Sequence, residues 1–165
     1  MQSDALTIEA RGLTVSRYLI LKFLHVAMAI VAVGFNASYP VWFALAQREP
    51  AAALVILRGI KTLDDRFANP AYALLLLLGL GMVFSGGIPL TTFWIGAAIV
   101  LYVILILVAV IGYSPTLKKQ IAALGSGGSG SGEYARLNQR GNVIGIVLML
   151  DVIVIVFLMV VKPSP

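Results

Sequence analysis

No cysteine occurs in the 165 residues, so the chain cannot build a disulfide framework, a thiolate metal site or a thiolate-held iron-sulfur cluster. Its redox compartment is therefore not readable from cysteine usage. Charge is scarce as well: Asp, Glu, Lys and Arg make up 12% of the chain, about half of the roughly 25% of a soluble domain. There is one histidine, His25, which falls short of the usual ligand set of a dedicated zinc site even with an aspartate beside it. No nucleophile-base-orienter triad is visible. The Gly/Ser run at 125–132 lacks the lysine and the strand-to-helix setting of a phosphate loop. The first seventeen residues mix Asp4, Glu9, Arg11 and Arg17 without an apolar core, unlike a secretory signal, so the first span is expected to direct insertion itself.

What is present is apolar. Hydrophobic side chains make up 60% of the sequence, and runs long enough to cross a bilayer recur four times. The expected fold is all-α, a transmembrane four-helix bundle forming a single membrane domain over residues 1–165. The first span is expected over about 18–46 after a polar tail, tilted, kinked at Pro40 or extending beyond the membrane, with Tyr18 marking one interface and Tyr39 and Trp42 the other. Over 50–67, Leu57, Ile60, Leu63 and Phe67 alternate with Arg58, Lys61, Thr62 and Asp65 at helical spacing, which predicts an additional amphipathic helix lying in the headgroup region and ended by Asn69-Pro70. Spans two and three are expected over about 70–85 and 91–113, joined by the uncharged turn Ser85–Pro89 and closed at Ser114-Pro115. Gly79 and Gly81 would let a neighbouring backbone approach span two. Residues 125–132 read as a flexible linker, and the fourth span, about 142–161, opens on the packing pair Gly141 and Gly145.

The net charge of +5 comes from basic residues in the connections rather than on one basic face, which points to membrane orientation and to no nucleic-acid partner. The side holding both termini carries Arg11, Arg17, Lys22 and Lys162. The other carries Arg48, Arg58, Lys61, Arg66, Lys118, Lys119, Arg136 and Arg140. This imbalance places the two longer connections in the cytoplasm and both termini outside.

Polar residues inside apolar runs are the candidates for chemistry. Lys22, His25, Ala29, Ala32 and Asn36 recur at spacings of three and four, so they share one helix face turned into the bundle. Asp151 lies near the middle of span four, where an unpaired acid costs about 2.5–3.5 kcal/mol on insertion scales. At about 1.5 Å of rise per residue, His25 and Asp151 lie about 10 and 15 Å from the outer ends, a gap that tilt and side chains can close. The expectation is a cluster of Lys22, His25 and Asp151, with Asn36 lower on the same wall. Three roles suit it: interhelical glue, a haem axial ligand at His25, or a histidine-carboxylate proton relay. Haem would need a second ligand from Met28, Met82, Met149 or another subunit.

Lys-Phe-Leu-His-Val at 22–26, four spans and Met-Val-Val-Lys-Pro at 159–163 together resemble a family of small bacterial integral-membrane proteins, the domain-of-unknown-function family 2269. That resemblance implies a bacterial inner-membrane location and no established activity. More distantly, a histidine early in the first span looks like the protoporphyrinogen-oxidase-like membrane proteins and the copper-resistance membrane domain, and on that likeness only His25 carries over, as a haem or metal ligand. The functional expectation is an accessory or ligand-binding subunit with lipid around it and a membrane-protein partner or a second copy beside it.

Overall fold

The computed structural model describes the backbone of residues 2–164 and the side chains of residues 17–164. The side chains of the first sixteen residues, read above as a polar tail, lie outside the described residues. The chain is all-helical among the described residues: α1 Gln2–Arg48, α2 Ala53–Leu63, α3 Asn69–Ser85, α4 Phe93–Leu107, α5 Ser114–Gly127 and α6 Gly132–Val161. These make four rods, because α2 runs into α3 and α4 into α5 without a break. Each rod is long and apolar enough to cross a membrane. Pro40 sits within α1 without ending it.

The joints explain why the sequence pattern misled at two places. A proline inside a helix lacks the N–H for the carbonyl four residues back, and its ring crowds that carbonyl. Here a wider, π-helical turn precedes each proline: Asp64–Ala68 before Pro70, and Val108–Tyr113 before Pro115. In the first the Asn69 N–H reaches back five residues to the Asp64 carbonyl, and in the second the Ser114 N–H reaches the Ala109 carbonyl. Such turns also absorb one extra residue. Ile60 and Ala68, like Leu105 and Tyr113, are eight residues apart and all buried; in a straight α-helix those pairs would sit about 80° out of line.

The separate interfacial helix is therefore corrected. Ala53–Ser85 is one 33-residue rod, about 50 Å long against a hydrocarbon core of about 30 Å. The amphipathic half continues the rod of α3, and protein covers its apolar stripe. Leu57 and Ile60 pack in a core with Leu117 and Leu124 of α5 and with Tyr134 and Leu137 of α6. Span three likewise runs on through Ser114-Pro115 to Gly127. The excess length collects at the end carrying Arg58, Lys61, Lys118, Lys119, Arg136 and Arg140, as solvation of charge requires. Together α2, α5 and the start of α6 make a headpiece continuous with the membrane helices.

Much of the glycine-serine run is helical. Only Gly128–Ser131 lies between α5 and α6, with Gly128 at φ 73° and Ser131 capping α6 by accepting the Tyr134 N–H at 3.2 Å. Of the expected glycine pair, Gly141 takes a close neighbour: a Cβ there would lie 3.0 Å from Gln120 Nε2. That buried amide donates to the Leu137 carbonyl at 3.2 Å, and Gly145 faces open space.

Away from the headpiece the rods pair off. α1 packs most extensively on α3, and α4 packs on α6, while no Cα of α3 lies within 8 Å of a Cα of α4. Trp94 at the start of α4 and Lys162 just past α6 meet in a cation-π contact of 5.3 Å, which ties down that end.

Candidate functional site

The first wide turn packs on α1, and beside it the interior turns polar. Asp64 opens the first turn and Tyr113 closes the second, while α1 supplies Tyr39. Asp64 is 6% exposed, Tyr39 5% and Tyr113 8%. The Asp64 carboxylate lies within electrostatic reach of both phenols. Neither the Tyr39 nor the Tyr113 hydroxyl has a hydrogen-bond partner among the described residues. A buried hydroxyl left unpaired costs about 1–3 kcal/mol, so two of them beside a carboxylate is an arrangement that packing alone does not favour. Asn69 sets its side chain against the carboxylate. Lys61 lies one turn earlier, where its ammonium donates to Asp65 on the exposed side.

The polar wall continues further into the spans. The Asn36 amide donates to the Tyr72 hydroxyl at 2.7 Å, and the Tyr102 hydroxyl donates to the Tyr72 carbonyl, so α1, α3 and α4 are joined through one residue. The two tyrosine rings lie 6.5 Å apart at a tilt of 58°. This contact holds α4 to α3 although their Cα atoms stay more than 8 Å apart.

His25 lies on the same wall, on the membrane side of Asn36. Its Nδ1 is 3.0 Å from the Leu75 carbonyl, which requires the tautomer that carries the proton on Nδ1 and leaves Nε2 as the acceptor. Gly79, one turn on from Leu75, gives the ring its place: a Cβ at Gly79 would lie 3.0 Å from His25 Cε1 and 3.3 Å from Nδ1. The close approach expected at Gly79 is real, and what approaches is an imidazole. Gly81 plays a looser part, since a Cβ there would lie 3.6 Å from the Leu21 side chain, an ordinary contact.

The four residues singled out in the sequence are thus distributed rather than gathered. Asn36 and His25 both turn inward, each bonded to α3. Lys22 is exposed. Asp151 is half-buried on α6, and its Oδ2 has no hydrogen-bond partner among the described residues. No hydrogen bond or ion pair joins Asp151 to His25 or Lys22 among those residues. The reason lies in the packing: the inward face of α1 meets α3, and α1 barely touches α6.

Chemically, the Asp64–Tyr39–Tyr113 group offers one carboxylate and two neutral hydroxyls, suited to holding a proton, a small cation or a hydrogen-bonding ligand and unsuited to nucleophilic attack. No group of three or more His, Cys, Asp or Glu is placed to hold a metal ion among the described residues. The signal for Asp64 was present in the sequence as the spacing Leu57, Ile60, Asp64, which sets an acid on an apolar face. The tyrosines were hidden because a tyrosine near a span end reads equally well as an interface anchor.

A family model described as predicted integral membrane protein, DUF2269, matches residues 19–163. The chain belongs to that family. Neither a curated protein nor a solved structure matches it. DUF2269 membership agrees with the four apolar rods, and the matched range takes in every residue of the polar wall.

Proposed function

We propose that this DUF2269 protein is a ligand-binding, accessory subunit of the bacterial inner membrane, and that its working part is the polar group where the spans enter the headpiece. The observation that carries this reading is the pair of unpartnered, nine-tenths-buried hydroxyls of Tyr39 and Tyr113 beside the buried Asp64. The surplus of basic residues at the headpiece end supports a cytoplasmic headpiece, with both termini outside. Asp151, with its unpartnered oxygen deep in α6, supports a subordinate role in moving protons.

Native mass spectrometry of the protein released from mild detergent tests the proposal. The wild type is expected to retain a bound species, from a single ion upward, that the Tyr39→Phe/Tyr113→Phe double variant loses. If the wild type carries nothing and the double variant is more stable by about 1–2 kcal/mol in every buffer, the hydroxyls are a packing feature and the reading fails.

One observation favours haem at His25 as a second reading. A ligating histidine commonly donates its other ring N–H to a carbonyl, which fixes the ring, and the Nδ1 contact to Leu75 is such an arrangement. Haem reconstitution should then give a Soret band that His25→Ala abolishes. A protein that stays colourless after reconstitution removes this reading.

A further inference from the structure

Resting on the ligand-binding reading, we propose that Asp64, Tyr39 and Tyr113 hold a single alkali-metal cation, sodium or potassium, at the junction of headpiece and membrane spans.

Three properties of the site lead there. The donors are all oxygens, one anionic and two neutral, which is the preference of hard cations and the opposite of what soft metals select. The charges match: Asp64 is 6% exposed, and a buried carboxylate is tolerated when paired with one opposite charge. A monovalent ion leaves the site neutral, whereas a divalent ion would bury a net positive charge. Lys61 acts electrostatically on Asp64 while its ammonium is bonded to Asp65, so Lys61, Asp64 and Asp65 together still carry one net negative charge.

The third property is size. Leu57, Ile60 and Leu117 are 0%, 2% and 1% exposed in the same packed region, so an organic ligand would have to displace core side chains, while a bare cation of about atomic dimensions would not. The backbone contributes as well. Asp64 and Tyr113 each belong to a π-helical turn, one in each of two neighbouring rods, and both are buried; such turns recur at functional sites in helical proteins. The two unpartnered hydroxyls then have a common purpose. Each can turn its proton away and present a lone pair to the ion.

Thermal unfolding of the full chain in nanodiscs, followed at constant ionic strength with choline chloride as the balancing salt, provides the test. Raising sodium or potassium chloride from about 1 mM to about 100 mM is expected to lift the midpoint by about 3 °C or more and then saturate. Asp64→Asn should abolish the rise, and Tyr113→Phe should move half-saturation to about tenfold higher concentration. If Asp64→Asn does not fold, the Tyr113→Phe displacement decides. Midpoints that are the same in choline as in both alkali chlorides overturn the proposal, as does an undiminished rise in the variants or a larger response to calcium chloride. A bound organic species in the mass spectrum without an alkali response sinks the cation alone and leaves the ligand-binding reading standing. Absence of both sinks both.

Discussion

Leu57→Ala is expected to lower the unfolding free energy by about 2–5 kcal/mol, the range for emptying a leucine-sized space in a packed core. Leu57 is fully buried, and the headpiece side chains around it belong to α5 and α6. Val55, on the opposite face of the same helix, is exposed, so Val55→Ala should change stability by no more than about 0.5 kcal/mol. The comparison distinguishes an α2 packed on protein from one lying on lipid. A surface helix would present Leu57 to acyl chains, and its truncation would not open a cavity against protein. Denaturant or thermal unfolding of both variants in the same detergent measures the difference. Equal effects for Leu57→Ala and Val55→Ala would mean that α2 does not pack on α5 and α6.

That contrast also shows why the number and location of the spans were legible while the headpiece was not. An apolar run of bilayer length has a single good explanation, and all four rods contain one. An amphipathic stripe has two, because lipid and protein are equally good apolar partners for Leu57 and Ile60. The stripes that complete the headpiece, Leu117 with Leu124 and Tyr134 with Leu137, lie in segments that Ser114-Pro115 and the glycine-serine run make look like loop. A helix tolerates Pro115 here because a wide turn precedes it, and that turn has no side-chain signature of its own.

The polar wall divides in the same way. Spacing put Lys22, His25 and Asn36 on one helix face, since a helix face is a local property; Lys22 is exposed, while His25 and Asn36 bond to α3. Their partners are not local. Depth alone paired His25 with Asp151, but depth does not say which rod faces which, and α1 lies against α3. The Leu75 carbonyl that His25 meets is a backbone group in a run of five leucines, invisible to any reading of side-chain chemistry.

The His25–Gly79 contact can be made to report on itself. Gly79→Leu is expected to destabilise the protein by about 1–3 kcal/mol through overpacking, even though replacing a helical glycine gains about 1 kcal/mol in propensity. A Cβ at this position already lies 3.0 Å from the imidazole, and the ring is held by its bond to Leu75, so it cannot swing aside without losing that bond. His25→Ala alone should cost about 1 kcal/mol for the lost hydrogen bond, plus whatever packing the ring provides. Together the two changes compensate, because the new leucine occupies the volume that the imidazole leaves. The double variant should therefore be more stable than the sum of the single effects predicts, by about 1–2 kcal/mol. Unfolding midpoints of the four proteins in one lipid environment give that coupling. Additivity within about 0.5 kcal/mol would show that the ring does not rest on Gly79. A coupling of the expected sign fixes α1 against α3 at the level of His25, and with it the side of the helix from which Asn36 and Tyr39 reach the interior.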